Sequence, residues 1–301
     1  MRSRIGLMVL AVALALTAGC SDSGGDGGTD NGPAGAPVDV GAPLPGNVKD
    51  RGKLAIGVKC DYPPFGYIDE AAKNAGFEID VARKLASYAF GDGNDVELTC
   101  VTGANRVSFL TTNRIDLIIA TMNYTEERAK TIDFTTPYFS SGVKLLVPKD
   151  STITSFADVA GKSVISTNGA TASLWLTQCM KDVKQVLFGQ TSEALTALKQ
   201  DRGDALAQDD TLLLDLASKN PDLKVVGDSK AGSPWGMGVR KGDTAMLDWV
   251  NAALKKMQAE EFFWTEFQKT VTDPNLQQQF AKFVPRPGND LSYPTGPTLV
   301  C

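Results

Sequence analysis

Asp116-Leu117-Ile118-Ile119-Ala120 is an unbroken apolar run with a charge at its start and a polar turn, Thr121-Met122-Asn123, at its end. A strand with one face in water would alternate, so this run predicts a central strand covered on both faces, as in a parallel sheet flanked by helices. The same reading extends outward. Residues 54–59 read as a first strand; Val81, Leu85 and Tyr88 line one face of a helix; residues 96–101 read as a second strand and 106–112 as a helix with Val107 and Leu110 inward. Thr125 caps a further helix whose positive end suits Glu126 and Glu127. Residues 143–147, after Pro137, form a strand that leads elsewhere.

At Ser155 the alternation restarts. Ser155-Phe156-Ala157-Asp158 is a capping box, followed by strands at 163–166, 184–188 and 204–208 and helices at 171–180, 192–200 and through Leu216. Val239 and residues 249–257 supply a closing strand and helix, and 289–301 is a Pro-rich tail. Two successive α/β series of similar size predict an α/β protein of two lobes. No short-period repeat underlies them.

The chain has no histidine, which excludes Ser-His-Asp and Cys-His catalysis, His-ligated zinc and an imidazole switch. The formal net charge is -5, and the acidic balance argues against nucleic acid as a partner. A hydrophobic fraction of 43% and a charged fraction of 22% are those of an ordinary globular chain. Residues 1–19 carry Arg2 and Arg4, an apolar run from Ile5 to Leu16 and small residues at the end, the layout of an export signal too short to span a bilayer. Leu16-Thr17-Ala18-Gly19-Cys20 resembles the lipobox of bacterial lipoproteins, which implies a diacylglycerol on the Cys20 thiol; the alternative is an ordinary secretory signal followed by a chance cysteine. Residues 20–48 are Gly-, Pro- and Asp-rich and predict a flexible tether. The expected location is extracytoplasmic, anchored to the cell membrane. Cys60, Cys100, Cys179 and Cys301 remain as an even set without a CxxC motif, consistent with two disulfides in an oxidising compartment.

Six further stretches belong together: Asp61-Tyr62-Pro63-Pro64-Phe65, Gly76-Phe77-Glu78-Ile79-Asp80-Val81, Asn105-Arg106 ahead of Ile115-Asp116-Leu117, Thr125-Glu126-Glu127-Arg128, Asp133-Phe134-Thr135-Thr136-Pro137-Tyr138, and Trp235-Gly236-Met237-Gly238-Val239-Arg240. In this order they resemble the extracellular solute-binding proteins of polar amino-acid ABC importers, family 3. The resemblance implies a two-lobed, type II periplasmic-binding-protein-like fold with two crossing hinge strands. It divides the chain into lobe one at 53–145 plus 237–269, lobe two at 146–236 and a tail at 270–301. It implies no cofactor or metal, no enzymatic activity, a free amino acid as ligand, a membrane permease as partner and a monomeric state.

By the same resemblance Arg128 holds the ligand's α-carboxylate, with Ala120, Thr121 and Asn123 beside it and Thr171 opposite, at a helix start whose free N–H groups favour an anion. Asp209 takes the ammonium, Asp210 being the alternative. Asp61 and Tyr62 belong to the ligand set, Tyr62 packing over the ligand's carbon chain. Lys59 and Arg106 match positions where basic residues hold a side-chain carboxylate, which implies glutamate or aspartate. Glutamine or asparagine, a sensor role and a cyclohexadienyl-dehydratase-like enzyme are the alternatives. The neighbouring strands of this fold imply Cys60–Cys100 and, by remainder, Cys179–Cys301.

Overall fold

The computed structural model describes residues 35–301; the expected signal and Cys20 lie outside them. The chain opens with α1 (Gly46–Arg51), β1 (Leu54–Val58) and a small antiparallel sheet of β2 (Asp61–Tyr62), β3 (Gly66–Ile68) and β4 (Asn74–Ala75). Then follow α2 (Phe77–Phe90), β5 (Val96–Cys100), α3 (Arg106–Thr111), β6 (Leu117–Ile119), α4 (Glu126–Thr131) and β7 (Ile132–Phe134). The long strand β8 (Phe139–Pro148) leads to β9 (Ser163–Thr167), α5 (Thr171–Cys179), β10 (Lys184–Phe188), α6 (Thr191–Lys199), β11 (Ala205–Asp209) and α7 (Asp210–Lys219). The return strand β12 (Leu223–Trp235) is followed by β13 (Gly238–Arg240), α8 (Thr244–Ala259), α9 (Phe262–Thr270) and α10 (Pro274–Phe280).

Two five-stranded sheets organise the two lobes, one ordered β5-β1-β6-β13-β7 and the other β10-β9-β11-β8-β12. The β6 strand is the middle one of its sheet and every residue in it is fully buried, as its uniform apolarity requires. Along α2, Ile79, Ala82, Leu85, Ala86 and Ala89 recur at helical spacing and are buried, while Glu78 and Asp80 occupy the first turn and Gly91, at φ 87°, ends the helix.

The lobes are joined by β8 and β12, which run antiparallel from the pair Phe139–Trp235 at the lobe-one end to Pro148–Leu223 at the far end. Phe65, Phe139 and Trp235 meet there with ring centroids 4.9 Å apart, and the Trp235 Nε1–H donates to Ser141 Oγ at 2.7 Å. This buried aromatic group gives the hinge a fixed pivot.

The start of the described chain is docked where the sequence predicts a flexible tether, and the tail is pinned as the expected Cys179–Cys301 bond implies. Residues 35–44, within the expected tether, lie against α2: Gly35 N donates to Gly91 O and Val38 N to Tyr88 O, both at 2.9 Å. Val40 and Leu44 supply apolar surface against the core, and Asp39 is the one charged side chain of the segment. The tail packs Phe280 on Phe139, donates the Tyr293 hydroxyl to Thr135 O at 2.6 Å and bonds Thr298 Oγ1 to Glu126 at 2.9 Å. It ends on α5, where Trp175 Nε1 donates to Val300 O at 2.8 Å and Cys301 is bonded to Cys179. The other disulfide joins Cys60 to Cys100, with Cα atoms 5.5 Å apart beside the β1–β5 pairing.

Candidate functional site

Strands β1, β6, β9 and β11 point their carboxyl ends at the space between the lobes, the place where open α/β sheets collect polar groups. Lys59, Tyr62, Gly103, Arg106, Thr121, Thr167, Ala170, Thr171, Gln208 and Asp209 line a cavity of about 20 Å³ there. That is room for about one water molecule, so the lobes stand closed and must part to admit anything larger. Hydrogen bonds across the cleft hold them: Arg128 Nη2 to Gly169 O at 2.9 Å, Arg128 Nη1 to Thr171 Oγ1 at 3.2 Å, Thr171 Oγ1 to Asn123 Oδ1 at 2.9 Å, and Thr191 N to Asp61 Oδ2 at 2.8 Å. Gly103 and Gly169 meet backbone to backbone. A Cβ on Gly103 would stand 2.7 Å from the Asn168 carbonyl oxygen, so the closed approach admits only glycine there. A larger hollow of about 440 Å³ on lobe two, edged by Lys162, Asp201 and Arg202, holds none of these groups.

Charge is the informative property of the cavity. Lys59 is buried but already paired, its Nζ 2.6 Å from Asp61 Oδ1. Arg106 starts α3 and is buried; its Nη1 donates to Ala120 O at 2.5 Å and its Nε has no partner. Arg128 follows the Thr125 cap and spends its guanidinium on the Asn123, Gly169 and Thr171 oxygens. Among the described residues no carboxylate pairs with either guanidinium within 4.0 Å. Desolvation holds Arg106 below the usual arginine range and lowers Arg128 to about 9, with the like charge of Arg106 as the second cause.

Asp209, at the end of β11, receives the Tyr62 hydroxyl on Oδ2 at 3.2 Å, while its Oδ1 is buried without a partner. Burial first, and the neighbouring Asp210 second, raise it to about 7. Asp210 turns toward the hinge instead, accepting from Gly142 N at 3.3 Å and Ser229 Oγ at 3.4 Å.

The structure thus brings Lys59, Tyr62, Arg106, Thr121, Thr171 and Asp209 to one cavity, with Ala120, Asn123 and Arg128 bonded to its walls. Asp61 serves as the counter-ion of Lys59 and as a bridge to α6. Gly103, Thr167, Ala170 and Gln208 escaped the sequence reading. Thr167 and Gln208 end β9 and approach the end of β11, and they bond each other at 2.8 Å; the strand-end rule that picks out Lys59 reaches them too.

Residues 54–268 match the model of the bacterial extracellular solute-binding proteins, family 3, and the chain belongs to that family. A glutamine-binding protein of Geobacillus stearothermophilus is 36% identical over 236 residues, 78% of this chain and 90% of that one. The L-glutamate/L-aspartate-binding protein of Pseudomonas aeruginosa is 28% identical over 268 residues, 84% of each chain. The solved cysteine-binding protein of Campylobacter jejuni superposes with a TM-score of 0.74 at 36% identity, covering 75% of this chain and 91% of its own. The chain is an amino-acid-binding protein of this transport family.

Asp209 makes the expected pH response specific. On the expectation that Asp209 takes the ligand's ammonium, its carboxyl must ionise to do so, and affinity should fall as pH drops from 8 through about 7, by up to about tenfold per unit below that point. The stability of the ligand-free protein should move the other way. A carboxyl raised above its unfolded value of about 3.9 contributes stability that is complete below that value and lost as pH rises through about 7. Calorimetry and thermal unfolding between pH 5.5 and 8 measure both trends, and Asp209→Asn should flatten the first.

Proposed function

We propose that this protein captures an acidic amino acid, glutamate or aspartate, between its two lobes and hands it to the permease of an ABC importer. The observation that carries the reading is the buried guanidinium of Arg106 and the partly buried one of Arg128, neither with a carboxylate partner, beside one buried, half-satisfied Asp209. An acidic amino acid offers two carboxylates and one ammonium, the complement of that set one for one. Burying a charge without a partner is costly, and the ligand removes that cost on closure. Arg128, bonded into the start of α5, suits the α-carboxylate; Asp209 suits the ammonium; Arg106 is left for the side-chain carboxylate. Tyr62 covers the carbon chain from the hinge side.

Glutamine or asparagine is the second reading, favoured by the glutamine-binding relative and by the pairing of Lys59 with Asp61, which removes one cation from the count. Calorimetry against free amino acids separates the two. Glutamate or aspartate should bind tightest, and arginine or lysine should be undetectable, since a desolvated like-charge contact costs several kcal/mol. Tightest binding of an amide would replace the first reading by the second. Attachment by lipid on Cys20 to the outer face of the cell membrane is part of the proposal, and partition of the wild type and Cys20→Ser into detergent tests it.

A further inference from the structure

The peptide unit joining Ala120 to Thr121, just past β6, is gripped from both sides. Its carbonyl accepts from Arg106 Nη1 at 2.5 Å, and its N–H donates to Glu78 Oε1 at 2.7 Å. The Tyr138 hydroxyl donates to the same Glu78 oxygen. Thr121 lies at φ 44°, a left-handed conformation that a β-branched residue adopts only when its surroundings impose it. Glu78 is fully buried in the first turn of α2. An acid in a first turn serves a helix from the surface equally well. Full burial, with Oε2 left without a partner, calls for a further reason.

We infer that Glu78 is a positioning residue for side-chain recognition: it locks the Thr121 amide in the left-handed turn, which fixes the Ala120 carbonyl and through it the Arg106 guanidinium. Without the carboxylate the Thr121 N–H loses its acceptor and the turn relaxes. The Ala120 carbonyl then swings, and Arg106 loses its only anchor among the described side-chain bonds. Glu78 acts on the ligand without touching it. The inference rests on the reading that Arg106 faces the ligand's side chain.

The test compares binding profiles over glutamate, aspartate, glutamine and asparagine for the full chain. Glu78→Leu should reproduce the profile of Arg106→Met, with acids losing at least about tenfold more affinity than amides. Glu78→Gln, whose amide oxygen accepts the same two hydrogens, should stay within about threefold of wild type. Uniform loss over all four ligands in Glu78→Leu where Arg106→Met spares the amides, or an equal loss in Glu78→Gln, would overturn the inference. Should Glu78→Leu fail to fold, Glu78→Asp decides: withdrawn by one methylene, it should show the same acid-over-amide loss in weaker form, and a wild-type profile would refute the role. If Arg106→Met itself spares the acids, the acidic-ligand reading fails. Glu78→Leu must still copy whatever profile Arg106→Met has, and a different profile sinks the Glu78 role alone.

Discussion

Arg128→Ala should weaken binding of every amino acid by roughly thirtyfold to several thousandfold, whatever its side chain. In the proposed function the guanidinium holds the α-carboxylate common to all of them, and it is itself bonded to Gly169 O and Thr171 Oγ1 across the cleft, so its removal would take away a ligand contact and a closing contact together. Truncating one partner of a buried, hydrogen-bonded charge pair costs about 2 to 5 kcal/mol, roughly thirtyfold to several thousandfold in affinity. Titration calorimetry with the tightest wild-type ligand and with alanine checks it. A loss confined to acidic ligands would mean that Arg128 reads the side chain instead.

The second large effect is a change of preference. Arg106→Met removes the buried cation that has no carboxylate of its own, and glutamate and aspartate should weaken by about 2 to 5 kcal/mol while glutamine and asparagine change little. Lys59→Met should act in the same direction but less, since Asp61 already neutralises Lys59 and is left as an unpaired, partly buried carboxylate when the lysine goes. The lysine holds Asp61 below the usual carboxylate range against the opposing pull of burial. Equal losses for acids and amides in Arg106→Met would show that the residue supports the cleft without reading the ligand.

What the sequence made legible follows from where side-chain patterning decides the structure. Strand β6 was readable because burial on both faces demands unbroken apolarity, and α4 because Thr125, whose side chain accepts from Arg128 N, caps its start beside Glu126 and Glu127. Strand β12 was not: Lys224, Gly227, Asp228, Ser229, Lys230 and Gly232 show no alternation, and the segment is extended because β8 offers it a hydrogen-bonding edge, with two register shifts along the way. The break between α8 and α9 was hidden as well, since it rests on Glu261 taking a left-handed φ of 55° with no glycine to mark it. In the site, the family resemblance pointed to the basic pair and Asp209. The pairing of Lys59 with Asp61 needed coordinates, because a lysine and an aspartate two residues apart serve equally as two ligand contacts or as one ion pair. Glu78 gave no signal: an acid in a helix's first turn is ordinary, and only its burial against Thr121 marks it out.

The Cys179–Cys301 bond closes a covalent ring. From Cys179 the backbone runs through lobe two, crosses in β12, passes through β13, α8 and α9 of lobe one, and returns along the tail to α5. The two lobes therefore share three covalent links: β8, β12 and the tail. A single cut in β12 leaves its two fragments joined through Cys179–Cys301 under non-reducing conditions, and a reductant parts them. A cut in β8 frees the segment ahead of it from the rest of the chain at once, since Cys60–Cys100 lies wholly before the cut and Cys179–Cys301 wholly after it.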